Sequence, residues 1–387
     1  MNKQLEALEK DQQTIYSWFE HMHQNPELSM QEEQTAKYIA DIVKQWGYEV
    51  ETGVGKNGIV ASMKAGESDK AIGLRADFDA LPIQEINDLE YKSRVDGVAH
   101  LCGHDGHTTM LLAAAKYLAA TKNFNGTLRL IFQPGEETME GGPAMIRDGL
   151  FERFPVDAVF GMHNMPGLEL GKLHFASGDV MAAVDNWELE ITGKGGHGSM
   201  PELSNDPVVA GSALVMALQT IVSRNIAPQH SAVVTVGAFI SGNAGNVIAQ
   251  SATLRLSIRT KTDADRAMVL NKVRTFARTY AEAYGCTSEI REGVPGAVLV
   301  DDEQETLRAA QIAREAFGEE NVVYPGPTFL GSEDFAFMLQ KKKGTYCFIG
   351  NGDTPMVHHP QFIFNKTNLP KGAAYWVALA EGYLANR

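Results

Sequence analysis

Ala71-Ile72-Gly73-Leu74-Arg75-Ala76-Asp77-Phe78-Asp79 is an apolar run, broken only by Arg75, that ends in two carboxylates. With no polar alternation it reads as a buried strand of an α/β sheet, not as one half of a two-faced antiparallel pair. In such sheets the carboxyl ends of the strands are where functional groups collect. The pattern recurs. Gly126-Thr127-Leu128-Arg129-Leu130-Ile131-Phe132 runs into Gln133-Pro134-Gly135-Glu136-Glu137, and Val156-Asp157-Ala158-Val159-Phe160-Gly161 runs into Met162-His163-Asn164. Strand ends therefore deliver Asp77 and Asp79, Glu136 and Glu137, and His163. That regular delivery predicts one convergent site.

Between the first two of these strands lies Ala99-His100-Leu101-Cys102-Gly103-His104-Asp105-Gly106-His107, which packs a thiol, three imidazoles and a carboxylate into one short stretch. A core has no need of that composition, whereas a metal site does. If the segment is extended, Cys102 and His104 point to one face and offer a thiolate and an imidazole to a single metal. A helix is expected over 108–121, so the cluster sits on the loop that enters it. The pair Glu136-Glu137 suits two tasks, one carboxylate binding metal while its neighbour carries protons for amide hydrolysis. His358-His359 follows a further strand (345–349), and the sequence leaves open which of the two faces inward. The candidates are thus Cys102, His104, Glu137, His163 and His358, with Asp79 and Glu136 beside them.

The 387 residues exceed what one core usually supports, which predicts two domains. Hydrophobic content of 44% and charged content of 21% are those of a globular protein. A net charge of −14 argues against nucleic acid or an anionic membrane as partner. The three cysteines, Cys102, Cys286 and Cys347, form no disulfide framework and suit a reducing cytoplasm. Residues 1–25 read as one charged helical region without a signal-type apolar run, and no stretch is expected to span a membrane.

The remaining pattern is helical over about 3–23 and 31–46, then strands over 48–52 and 58–64. A short helix is expected over 141–150. From residue 181 the order changes to strand (187–192), helix (206–224), strand (232–239), strand (246–259), helix (262–284) and strand (286–292). That βαββαβ order is ferredoxin-like. The α/β pattern then resumes, with helices over 302–317, 331–340 and 373–384. The expected organisation is a first catalytic part (1–180), an inserted domain (181–294) and a second catalytic part (295–387). Within the insert, Gly193-Lys194-Gly195-Gly196-His197-Gly198-Ser199 is glycine-rich but lacks the phosphate-loop pattern. Asn246 and Arg259 are plausible anchors for an anionic substrate.

These stretches together resemble the dinuclear-metal amidohydrolases that group with aminoacylases, hippurate hydrolases, auxin-conjugate hydrolases and metallo-carboxypeptidases. The matching motifs are Arg75 to Pro82, Cys102 to His107, Phe132 to Glu137, Met162 to Pro166, Gly193 to Ser199, Gly331 to Phe335 and His358-His359-Pro360. They occur in the family's order along nearly the whole chain, and the cysteine points to the aminoacylase and hippurate-hydrolase branch. The resemblance implies a mixed-sheet metallopeptidase-like α/β catalytic domain with an inserted ferredoxin-like α+β dimerisation domain. It implies two divalent metal ions on Cys102, His104, Glu137, His163 and His358, Glu136 as general base, and Asp79 orienting a ligand. It also implies a homodimer in which His197 reaches the partner's site, with Asn246 and Arg259 near the substrate carboxylate. Two positions depart from the pattern: Glu202 stands where relatives often carry histidine, and Ala249 where they often carry proline.

The expected activity is hydrolysis of the amide of an N-acyl amino acid, of N-acetyl or N-benzoyl type, by a metal-activated water. Zinc is the expected metal, with manganese, cobalt or nickel as alternatives. The rival readings are a dipeptidase or carboxypeptidase on the same site, a hydrolase with Cys102 as nucleophile, and a non-catalytic metal-dependent binding protein.

Overall fold

A computed structural model describes residues 3–385; Met1 and Asn2, part of the expected N-terminal helical region, lie outside the described residues. The chain divides into two compact units. The first runs to Val180 and resumes over Val300–Thr328 and from Asp334; the second is Met181–Leu299 with Phe329–Glu333.

The first unit is built on an eight-stranded mixed sheet. Its spatial order is Glu49–Val54, Gly58–Ala65, Gly126–Gln133, Ala71–Asp77, Ala158–Pro166, Gly344–Gly352, Leu173–His174 and Val322–Val323. The four central strands run parallel, so their carboxyl ends open on one side. Every residue of Ala71–Asp77 and of Ala158–Pro166 is buried, as their largely apolar sequences without polar alternation predict. The helix His104–Thr121 packs on Ala71–Asp77 and against the closing helix Asn368–Tyr383. It is apolar nearly all round because it is covered on nearly every side. Around these elements lies a core that includes Phe19, Phe78, Phe132, Phe160, Tyr375 and Trp376.

Several boundaries differ from expectation for local reasons. The first helical stretch is two helices, Lys3–Lys10 and Gln12–Gln24. Asp11 leaves the helical region between them, and its carboxylate receives Lys116 Nζ at 2.6 Å. The helix expected over 141–150 splits into Gly141–Arg147 and Leu150–Arg153 because Gly149 adopts φ 81°. The closing helix begins five residues early, at Asn368 instead of 373; Pro370 falls in its first turn, where a missing N–H costs nothing. Gly331-Ser332-Glu333-Asp334 is not helical, and only Phe335–Leu339 is.

The second unit carries a four-stranded antiparallel sheet in the order Ala232–Ser241, Ser251–Thr260, Ala183–Thr192, Thr287–Glu292. Numbered along the chain this is 2-3-1-4, the ferredoxin-like arrangement. The strand expected over 246–259 breaks into Val247–Ile248 and Ser251–Thr260. The shorter piece pairs with Gly196–His197 in a separate two-stranded sheet. Asp206 caps the helix Pro207–Asn225 by accepting from Val208 N and Val209 N, with proline at the first position. By length and composition alone this helix is long and apolar enough to cross a membrane, a test that core helices also meet. Its Ala210, Leu214, Leu218 and Ile221 lie in the core of this unit with Leu189, Leu254 and Leu256.

Candidate metal centre

Gly103 turns the chain at the centre of the site. Its φ is 96°, and a Cβ there would lie 2.2 Å from Asn164 Oδ1, so only glycine fits. The Cys102–His104 segment is therefore not the extended stretch expected, and His104 is already the first residue of the helix. Cys102 and His104 meet through a left-handed turn. His163 lies inside the strand Ala158–Pro166 and not beyond it. Its Nε2 is 3.4 Å from Cys102 Sγ, while its Nδ1 donates to the Asn164 carbonyl.

The remaining first-unit candidates converge on the same point. His104 Nε2 lies 3.9 Å from Glu136 Oε2 and 3.8 Å from Glu137 Oε1. His358, at φ 67°, places Nε2 3.3 Å from Glu137 Oε2. His359 turns away, its Nδ1 accepting the Gln361 N–H at 3.1 Å. Among the sequence candidates three donor sets result, each with its atoms within 4.8 Å of one another: Cys102, His104 and His163; Cys102, Glu137 and His358; His104, Glu136 and Glu137. Cys102 belongs to two of them. Asp79 ties the cluster together from behind. Its Oδ1 is 3.0 Å from His104 Nδ1, and its Oδ2 receives Ser29 Oγ at 2.7 Å and the Glu137 N–H at 3.0 Å.

This donor set fits a divalent cation on two counts. His104 Nε2 and Glu137 Oε1 are buried without a hydrogen-bond partner, and an orphaned buried polar atom typically costs about 1–3 kcal/mol. The second count is the field. Burial alone would lower the His104 imidazolium, yet Asp77, Asp79 and Glu137 hold it up to about 10. The site thus demands positive charge. Burial, then Glu137, Glu136 and Asp77, push the Cys102 thiol well above its ordinary range. A thiol held protonated is a poor nucleophile, which counts against the thiol-hydrolase reading. A bound cation would reverse that shift and let the same sulfur serve as a ligand.

The candidates of the inserted region all lie in the second unit. His197 is exposed and its Nδ1 accepts the Ser199 N–H at 3.2 Å, which leaves Nε2 to carry the ring proton. Asn246 is its neighbour: the Gly198 N–H donates to the Asn246 carbonyl at 2.8 Å. Arg259 is not with them. It sits at the far end of Ser251–Thr260, roughly 25 Å further along the strand at about 3.4 Å per residue, with Nη1 on Ser332 Oγ at 3.1 Å.

Residues 73–382 match the model of peptidase family M20/M25/M40. The chain belongs to this family. Among its relatives, a hippurate hydrolase of Campylobacter jejuni is 46% identical over 363 residues, 94% of each chain. An N-acetyl-L-cysteine deacetylase of Bacillus subtilis is 37% identical over 92% of this chain and 84% of its own. The crystal structure of a Bacillus subtilis dinuclear metal binding peptidase of the M20 family superimposes with a TM-score of 0.83 at 31% identity, covering 97% of this chain and 99% of that one.

Residues outside the candidate set hold the centre in place. Arg75 is fully buried, with Nη1 on Asp77 Oδ2 at 2.7 Å, Nε on Gln133 Oε1 at 2.9 Å and Nη2 on Asp334 Oδ1 at 3.2 Å. Asp77 Oδ1 in turn holds His107 Nδ1 at 2.6 Å, and His107 Nε2 meets Asn164. His107 is thus pinned under the site. One signal for this network was present: an arginine inside a buried strand must be paired. A second network has no such signal. His23 lies buried between Asp105 Oδ2 at 2.7 Å and Glu85 at 3.3 Å, and its three members come from distant parts of the sequence.

Proposed function

We propose that the protein is a metal-dependent amidohydrolase acting on N-acyl amino acids of N-acetyl or N-benzoyl type. The observation that carries the reading is the shared cluster of Cys102, His104, Glu137, His163 and His358 donor atoms with Glu136 at its edge. The hippurate hydrolase and N-acetyl-L-cysteine deacetylase among the relatives support the substrate class. The dinuclear neighbour and the overlapping donor sets support two cations, which Cys102, His104, Glu137, His163 and His358 would hold. Zinc suits a cysteine and histidine set, and manganese, cobalt or nickel suit one with carboxylates.

Bound cations would polarise the scissile carbonyl and bring the pKa of a water towards neutrality. The protein's own groups do the rest. Glu136 takes a proton from the attacking water and delivers it to the amine nitrogen as the C–N bond breaks, leaving a carboxylic acid and a free amino acid. Asp79 fixes the proton of His104 on Nδ1 and keeps Nε2 facing the cluster. His197, with its proton on Nε2, donates to the oxygen that gains charge. Asn246 and Arg259 bind the substrate carboxylate.

Homodimerisation completes this reading. Ala232–Ser241 is an edge strand with exposed Phe239 and Ile240, beside exposed Val208, Val209 and Met216 of the helix Pro207–Asn225. Phe239 packs on Gly211 of that helix, so the apolar residues adjoin. An unpaired edge next to an apolar face suits pairing with a second copy about a two-fold axis. The place of Arg259 at the far end of Ser251–Thr260 from Asn246 supports a carboxylate site drawn from two subunits. Three free cysteines fit a cytoplasmic protein, and its partner in catalysis is a small molecule, with no nucleic acid or membrane involved.

The test is turnover of a panel of N-acyl amino acids and dipeptides by metal-reconstituted protein. N-Benzoyl and N-acetyl amino acids should be cleaved. Preference for dipeptides would move the assignment to a dipeptidase or carboxypeptidase, and no turnover by fully loaded protein would overturn it.

A further inference from the structure

The turn that carries Glu136 and Glu137 is held from outside by a segment that the mechanism does not use. Residues 26–32 run across the ends of the central strands. Leu28 bridges Ala80, and the Ala80 N–H donates to the Glu27 carbonyl at 2.9 Å. Glu32, at the end of this segment, is fully buried. Its Oε1 accepts two backbone N–H groups, Met30 at 2.7 Å and Gly135 at 2.8 Å, and its Oε2 accepts Asn57 Nδ2 at 2.9 Å.

Gly135 is the residue before Glu136. Its φ of +57° and the nearness of Met30, whose sulfur would lie 2.5 Å from a Cβ, leave the turn no slack on that side. The Gly135 carbonyl in turn accepts from Glu140 N and Gly141 N, closing the loop around Glu136 and Glu137. Met30 itself sits at φ 60°, a conformation that side chains other than glycine adopt only when their surroundings impose it. Here Glu32 holds its N–H and Lys56 Nζ its carbonyl.

We propose that Glu32 is a positioning residue: through the Gly135 N–H it sets where the Glu136 and Glu137 carboxylates stand, and so sets metal affinity and turnover without touching metal or substrate. This rests on the reading of Glu137 as ligand and Glu136 as proton carrier. What Glu32 supplies is an acceptor at a fixed place, not a charge. A glutamine fits that description, because its amide oxygen can take both backbone N–H groups while the Asn57 amide turns over to face its NH₂. An aspartate does not, because the shorter side chain draws the acceptor away from Gly135.

The experiment compares Glu32→Gln, Glu32→Asp and Glu32→Ala in the full-length protein. Zinc affinity is read by competition with a chromogenic chelator, kcat and KM on a cleaved N-acyl amino acid, and unfolding of the metal-free form by denaturant. Glu32→Asp and Glu32→Ala should lose about 10–100-fold in zinc affinity, the usual size for removing an outer support of a ligand. Their kcat should fall at least tenfold, with KM within about threefold. Glu32→Gln should restore both quantities to within about threefold of the parent. If the alanine variant does not fold, the aspartate and glutamine variants decide. Wild-type zinc affinity in Glu32→Asp, or a loss in Glu32→Gln as large as in Glu32→Asp, overturns the proposal. Glu136→Gln and Glu137→Gln run alongside separate the two levels. Should these leave turnover and metal content untouched, the functional reading itself fails; should they behave as assigned while Glu32→Asp changes nothing, only the role of Glu32 fails.

Discussion

Asp79 Oδ1 lies 3.0 Å from His104 Nδ1, as does the Asp79 carbonyl oxygen, and these two contacts decide which nitrogen of His104 faces the donor cluster. A carboxylate accepts only, so one ring proton stays on Nδ1 and Nε2 is the nitrogen that faces inward, where it has no hydrogen-bond partner. Burial would raise the Asp79 carboxyl, but His104, Ser29 and the Glu137 N–H lower it, so Asp79 stays ionised and keeps that role at neutral pH. Asp79→Asn cannot serve both sides, because one amide oxygen must replace two carboxylate oxygens. Metal affinity should drop about 10–100-fold, measured by chelator competition. Unchanged affinity would remove Asp79 from the orienting role.

The adjacent glutamates should separate cleanly. Glu136→Gln should retain its metal while kcat falls by about 10²–10⁴, the range of a general base. Glu137→Gln should lose metal, as measured by elemental analysis of dialysed protein. Near-normal turnover in Glu136→Gln would show the role to be misassigned.

Metal loading should release protons. In the metal-free protein both the Cys102 thiol, raised by burial and nearby carboxylates, and His104, held up to about 10, carry protons at neutral pH. A cation needs the thiolate and the Nε2 lone pair, so loading should expel about two protons, and apparent affinity should rise with pH. Titration calorimetry in buffers of different ionisation enthalpy gives the count. Cys102→Ser should lower it by about one and should abolish the thiolate-to-metal charge-transfer band of the cobalt form. An unchanged count and band would exclude Cys102 as a ligand.

His23 should make stability pH-dependent on the alkaline side. Burial alone would depress its imidazolium, but Asp105 and Glu85 hold it up to about 9. A folded pKa above the unfolded value of about 6.5 gives stabilisation that is complete below the unfolded pKa and lost as pH rises through about 9. Its size is on the order of 3 kcal/mol at most, at about 1.4 kcal/mol per pKa unit. Urea unfolding at pH 6, 7.5 and 9.5 should show the gap between the parent and His23→Gln shrinking as pH rises. A gap that does not change with pH would mean that His23 is neutral in the fold.

The dimer reading makes His197 and Glu136 members of one site from two chains. His197→Ala and Glu136→Gln should each be nearly inactive, since an oxyanion donor is worth about 3–4 kcal/mol. Co-refolded heterodimers carry one intact site and should regain a substantial fraction of activity. Verified heterodimers as inactive as their parents would confine His197 to its own chain.

The sequence by itself determined most of the elements and the chemical character of the candidate site. Apolar runs ending in carboxylates, a cysteine two residues from a histidine, and a βαββαβ interval are local patterns, readable because burial and side-chain chemistry act residue by residue. Strands such as Ala71–Asp77 and the ferredoxin-like order were legible for that reason. The tertiary structure alone decided how those residues meet. Gly103 brings Cys102 and His104 together by a left-handed turn and not by the expected extended segment, because Asn164, far away in the sequence, leaves no room for a side chain there. That His358 and not His359 stands beside Glu137 follows from the path of the chain past Leu101, whose carbonyl takes the His358 N–H at 2.7 Å. The supports of the centre, Arg75 on Asp334, His23 on Glu85 and Glu32 on Gly135, join residues far apart in the chain. No local pattern encodes such pairs. A buried charge or N–H must find a partner, but which partner it finds is settled only when the strands, helices and loops have packed.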